Sequence, residues 1–197
     1  MAYLRKILKD DHPTLRKVAK KVDLSELGDP MFAQLLEDMF ETMYDAPGIG
    51  LAAPQINVSK RLFVIDMQDD EHEPMVVLNP KFTLTEGEVD AVEGCLSVPG
   101  YVGDVTRFEH VICTGFDEMG EKVTHDATGW FARCLQHEMD HLDGVLYTDK
   151  ARDVRLAKTD EEIAAAQSAA DELAAIDRSG ADPVVVQNSA AEIAPTH

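Results

Sequence analysis

Phe32, Leu35, Leu36, Met39 and Met43 recur at helical spacing behind Asp29-Pro30, an N-cap followed by proline at the first helical position. This pattern predicts a helix from residue 30 to about residue 44, with its apolar stripe facing a core. Short apolar runs at residues 62–66, 75–78, 81–84 and 88–92, separated by acidic, Gly or Pro breaks, predict strands. Residues 105–116 and 121–125 flank Asp117-Glu118-Met119-Gly120 and predict a hairpin. A second stripe of Trp130, Phe131, Cys134 and Leu135 predicts a buried helix that Asp143-Gly144 stops. Helices thus bracket mostly antiparallel strands, which is an α+β fold with a central helix. A short helix is expected around residues 14–21. Beyond residue 150 the chain turns Ala-rich and acidic. A helix is expected over residues 151–176, then a break at Ser179-Gly180-Ala181-Asp182-Pro183 and disordered last residues. The expected division is one domain over residues 1–150 and a tail over residues 151–197, with no internal repeat.

Such a length supports a full hydrophobic core without covalent staples. Three cysteines cannot all pair, and no long apolar segment is present, so a reducing cytoplasmic setting is expected, with no membrane partner. The net charge of −19 is unevenly spread: residues 1–22 hold seven Lys/Arg against two acidic residues, and residues 151–197 hold four against nine. Phosphate contacts need a basic surface, so direct nucleic-acid specificity is not expected, and the basic start reads as the solvated face of a short helix.

His137-Glu138-Met139-Asp140-His141 changes the picture more than any other stretch. On a helix, residues four apart share a face, so His137 and His141 can bind one ion while Glu138, about 100° round the helix, reaches water beside it. Taken alone, the same five residues also suit a surface helix with two solvated histidines. A catalytic site of this kind needs a third protein ligand and an open position for water. Cys134 lies three residues before His137, but three side chains spread along two turns of one helix cannot gather on one ion. Cys134 therefore reads as a buried wall residue and Cys113, in a strand-like run, as core. Cys95 differs. It lies in Glu93-Gly94-Cys95-Leu96-Ser97-Val98-Pro99-Gly100, whose glycines and proline suggest a strand ending in an exposed turn, from which a thiolate can face a cleft.

Gly48-Ile49-Gly50-Leu51-Ala52-Ala53-Pro54-Gln55 is neither a dinucleotide fingerprint nor a phosphate loop, lacking the third glycine and the Lys-Ser/Thr ending. Its glycines suit close backbone approach to a ligand. Gln55 is either an ordinary loop residue or an amide donor to an oxyanion.

Together, the segments Gly48 to Gln55, Glu93 to Pro99 and Gln136 to His141 resemble the three signature motifs of the peptide deformylases, in matching order, over residues 3 to about 150. The resemblance implies Cys95, His137 and His141 as ligands of one divalent metal ion per chain, ferrous iron in the family, with zinc, nickel or cobalt also suited to these donors. It implies Glu138 as general acid/base, and Gln55 with the backbone N–H of Leu96 as the oxyanion site. Ile49, Gly50, Val92, Gly94, Trp130 and Cys134 are expected to line the methionine pocket, with Arg133 at its rim. The implied activity is hydrolytic removal of the formyl group from N-formylmethionyl nascent peptides, with a transient ribosome contact as a further expected partner. Val102 stands where many relatives carry an arginine, a departure from the family pattern, whereas Arg107 is retained. A metallopeptidase drawing a ligand from Glu161 or Glu162, and a structural metal module with four ligands, are the rival readings.

Overall fold

The computed structural model describes residues 2–157. The expected tail helix beyond residue 157 and its break lie outside the described residues. Within them, helix α1 (Pro30–Asp45) begins as its sequence dictates: Asp29 accepts a hydrogen bond from the Met31 N–H at 2.8 Å, and Pro30 occupies the first turn, where its missing N–H costs nothing. Phe32, Leu35, Leu36, Met39 and Met43 are all buried, as are Asp38 and Thr42 on the same side.

The strands form two antiparallel sheets. Five strands, β1 (Gly50–Ala52), β2 (Leu62–Ile65), β3 (Met75–Glu86), β6 (His110–Phe116) and β7 (Lys122–Thr128), lie in the order β1-β2-β3-β6-β7. Three more, β4 (Val89–Cys95), β5 (Val98–Arg107) and β8 (Arg152–Leu156), lie in the order β4-β5-β8. Helix α2 (Gly129–Leu142) buries most of its length, with Ala132, Leu135 and Leu142 fully enclosed among residues of the larger sheet such as Phe63, Ile65 and Val77. It ends in a left-handed Gly144 at φ 74°, with the Val145 N–H returning to the Asp140 carbonyl at 2.9 Å and the Gly144 N–H to that of His141 at 3.3 Å. The expected stop at Asp143-Gly144 is therefore a Schellman turn.

Four expectations need correction. The runs at residues 75–78 and 81–84 belong to the single strand β3, because Asn79-Pro80 makes a register shift against β6 rather than a break. Residues 105–116 are two strands of different sheets. The chain changes sheet at Phe108, whose N–H and carbonyl are both held by the Gln136 side chain at 2.9 and 2.8 Å. Only Pro13–Arg16 of the expected N-terminal helix is helical, as one 3₁₀ turn capped by His12. Finally, Arg152–Leu156 is a strand rather than the start of a helix. It covers the open edge of β5, pairing Tyr101 with Leu156 and Val102 with Arg155. An unpaired sheet edge offers that backbone hydrogen bonds that outweigh the weak local preference of five residues.

Candidate metal centre

Cys95 ends β4, and His137 and His141 project from adjacent turns of α2. Their ligand atoms all lie within 4.8 Å of one another, with Cys95 Sγ 3.2 Å from His141 Nε2. Helix and strand meet here because α2 is locked into the core by its apolar side, which leaves the histidine side facing the end of the small sheet. Cys113 and Cys134 are buried in the apolar core, as expected of them. Burial pushes the Cys113 thiol up to about 12 and the Cys134 thiol well above its ordinary range. Cys95 behaves in the opposite way. Burial opposes its ionisation, yet the charge of His141 and hydrogen bonds from His137 and His141 hold its thiol well below the usual value.

The three residues fit a divalent transition metal. Ligand atoms bonded at about 2.0–2.3 Å to one tetrahedral ion stand roughly 3–4 Å apart, and a thiolate with two imidazoles is a donor set of the right softness. Tautomer chemistry agrees. His137 Nδ1 lies 2.9 Å from Glu93 Oε2, and an ionised carboxylate only accepts, so the ring donates there and, once it gives up its other proton, offers the Nε2 lone pair to an ion.

Glu93 is the centre of a buried ionic network that the sequence motif contained without announcing. Arg107 grips it with Nε and Nη2, both at 2.8 Å, and Arg133 Nη1 reaches the same carboxylate at 2.6 Å. Arg107 continues to Asp140, which Lys150 meets from the surface at 2.7 Å. Burial would raise the Glu93 carboxyl, but hydrogen bonds from Arg107 and His137 hold it far below the ordinary carboxylate range. The signal that could have found it is its position two residues before the thiolate, since metal-ligating histidines need a carboxylate or carbonyl behind them.

This network corrects the expectation for Arg133. It does not sit at a pocket rim: it is buried, with Nη1 also donating to the Val105 carbonyl at 3.0 Å and Nη2 to that of Val89 at 2.8 Å. A guanidinium so far from water keeps its charge by pairing it, and Glu93 is the available anion.

Glu138 is buried, and its Oε2 finds no hydrogen-bond partner among the described residues. Burial raises its carboxyl, partly offset by the neighbouring imidazoles. Gly50 makes room for it: a Cβ on Gly50 would stand 2.5 Å from Glu138 Oε1. Gln55 is also buried. Its Oε1 accepts the Ala52 N–H at 2.8 Å, which turns its Nε2 toward Ser97 Oγ at 3.2 Å and Cys95 Sγ at 3.7 Å. The amide donor thus faces the Cys95 thiol, one of the three candidate ligands. The Ser97 N–H donates to Cys95 Sγ at 3.4 Å, and Ser97 is a site neighbour that reading the sequence passed over. Leu96 is half-buried beside the thiolate, and Ile49 packs in the core cluster that holds Cys134. Val92 and Trp130 are half-buried, and Gly94 is exposed on β4. Val102, on β5, is buried.

The family described as polypeptide deformylase matches residues 4–157. The peptide deformylase of Symbiobacterium thermophilum is 50% identical over 156 residues, spanning 79% of this chain and 70% of that one. Among solved structures, a peptide deformylase from Legionella pneumophila shares 40% identity at a TM-score of 0.72, covering 89% of this chain and 98% of that one. A class I type b peptide deformylase from Acinetobacter baumannii, solved with Met-Ala-Ser bound, shares 32% identity at a TM-score of 0.72, covering 76% and 99%.

Proposed function

Because this chain belongs to the polypeptide deformylase family, we propose that Cys95, His137 and His141 hold its catalytic metal, that Glu138 is the general acid/base, and that Gln55 and the Leu96 N–H receive the oxyanion. The family activity, hydrolytic removal of the N-formyl group from nascent polypeptides by a metal-dependent enzyme, is that of this protein. The observation that carries the residue assignment is the meeting of a strand-end thiolate with the two helix imidazoles beside a buried carboxylate whose Oε2 has no hydrogen-bond partner among the described residues.

When bound, the metal supplies Lewis-acid polarisation of the formyl oxygen and acidifies a water toward neutral pH. Glu138 takes a proton from the attacking water and passes it to the departing amine. Its burial suits that exchange, because a carboxyl raised by burial carries a proton more readily than a solvated one. Gln55 Nε2 and the Leu96 N–H stabilise the oxygen as it gains charge, where losing one donor typically costs roughly 100-fold to 1,000-fold. Formate and a free N-terminus leave.

Ile49, Gly50, Val92, Gly94, Trp130 and Cys134 are the proposed surroundings of the methionine side chain, and the Met-Ala-Ser bound to the Acinetobacter relative supports a substrate of that kind. Ferrous iron is the proposed native ion and the cytoplasm the proposed location. The catalytic unit extends to residue 157, as β8 and the matched family range favour, and the remaining acidic residues are an appendage. Any ribosome contact is assigned to the basic N-terminal segment, where Lys6, Lys17, Lys20 and Lys21 are exposed, rather than to that acidic appendage. Ribosome co-sedimentation of the full chain and of a chain ending at Ala157, at low and high salt, separates the two.

The deciding experiment is formate release from formyl-Met-Ala by anaerobically purified protein, with metal content measured on the same sample. Glu138→Gln is expected to retain the metal and lose at least about 100-fold in turnover. Near-normal turnover in a metal-loaded Glu138→Gln variant removes the assigned role.

A further inference from the structure

Two consecutive residues of the N-terminal segment hold the two proposed oxyanion residues from behind. The Leu8 N–H donates to the Gln55 carbonyl at 2.7 Å, and Lys9 Nζ donates to the Leu96 carbonyl at 3.2 Å. Leu8 is buried in a cluster with Leu15, Val98, Val105, Leu146 and Tyr147, against which Cys95 also packs. The far end of the segment is tied to α1. The Tyr3 N–H donates to Asp38 Oδ1 at 2.7 Å, the Arg5 N–H to Thr42 Oγ1 at 2.8 Å, and Arg5 Nε to Asp38 Oδ2 at 2.7 Å. This explains why Asp38 and Thr42, polar residues on the packed side of α1, are buried.

We infer that residues 3–9 are a strap that fixes the orientation of the oxyanion donors, with Lys9 as a positioning residue for the turn Cys95-Leu96-Ser97. The inference rests on the assignment of Gln55 and the Leu96 N–H to the oxyanion. Its physical basis is the planar trans peptide. The Leu96 carbonyl and the Ser97 N–H belong to one rigid unit and point in opposite directions, so a cation on the carbonyl aims the N–H, which meets Cys95 Sγ at 3.4 Å. The next peptide back, across the Leu96 Cα, carries the proposed oxyanion donor. Catalytic donors gain most when they are fixed before the charge develops, and a turn anchored on one side only would have to reorganise during the reaction.

The Lys9 side chain is exposed, so Lys9→Met removes the donor while leaving the core intact. The expected result is a turnover about fivefold lower, on the scale of a loosened rather than a deleted donor, with KM, metal content and thermal midpoint unchanged. Deuterium uptake in the segment spanning residues 93–100 should rise, and Lys9→Arg should restore both turnover and protection. Unchanged turnover and unchanged uptake in Lys9→Met, alongside a Gln55→Leu variant that has lost about 100-fold, overturns the strap and leaves the oxyanion assignment standing. Full turnover in metal-loaded Gln55→Leu overturns that assignment, and with it the catalytic purpose of the strap. A fall in thermal midpoint that accounts for the lost turnover of Lys9→Met reduces Lys9 to a structural residue and overturns the inference.

Discussion

Gly50 and Glu138 are fitted to each other: the space a Cβ would take at residue 50 is occupied by the Glu138 carboxylate, which would lie 2.5 Å away. The glycine of the loop and the carboxylate of the helix are one device. Gly50→Ala is therefore expected to push Glu138 from its position while the proposed ligands Cys95, His137 and His141 keep their ion. Displacing a reacting group by about 1 Å can cost on the order of 100-fold, so turnover should fall by at least about tenfold with metal content unchanged. Steady-state formate release with metal analysis checks this, and full activity in the variant would show that the carboxylate tolerates relocation.

Glu93 bridges two buried arginines and the proposed ligand His137, while Asp140 gives Arg107 a second carboxylate. Replacing it by Ala leaves Arg107 and Arg133 short of a partner, with an expected loss of about 3–5 kcal/mol in denaturant unfolding. The more conservative Glu93→Gln keeps an acceptor for His137 but not the charge. Metal affinity should then weaken by roughly 10- to 100-fold, measured by competition with a chelator. Wild-type affinity in Glu93→Gln would mean that the carboxylate serves folding alone.

Cys95→Ser is expected to lose or greatly weaken the metal. Cys113→Ala and Cys134→Ala should retain it and cost about 1 kcal/mol each, the scale of removing one buried group. A thiol-reactive probe should also label Cys95 first in metal-free protein, because its thiol is held low while burial pushes the other two up. Loss of the metal in Cys134→Ala alone would contradict the geometry.

Asp38 gives a pH prediction away from the metal. Burial would raise its carboxyl, but hydrogen bonds from the Tyr3 N–H, Gln34 and Arg5 hold it below the ordinary 3.8. A carboxyl lowered on folding contributes stability above its unfolded value, and that contribution disappears as pH falls through the folded value. The N-terminal strap should therefore stay docked at neutral pH and loosen below about pH 4. Thermal midpoints of the parent and Asp38→Asn should differ at pH 7 and converge in acid. A gap that persists at the lowest accessible pH would assign the effect to packing instead.

The chain carried much of this in local patterns. Helix α1 announced its start through Asp29-Pro30 and its buried side through the spacing of its apolar residues, and α2 announced its end through Asp143-Gly144. These are properties of a few neighbouring residues, governed by backbone sterics and capping, so they can be read without the fold. The same holds for the two histidines and Glu138, whose relation is fixed by the turn of one helix. Three-dimensional structure alone decided what depends on pairings across the chain. Asn79-Pro80 looks like a break until β6 lies alongside it, and residues 152–156 look like the start of a helix until the edge of β5 offers them partners. Arg133 lies on α2 itself, one turn before His137, yet its charge goes to Glu93 because buried ions must be paired wherever a counter-charge lies within reach. Lys9 and Leu8 carried no signal at all, since what makes them matter is the backbone of Leu96 and Gln55, and a carbonyl has no signature in the sequence.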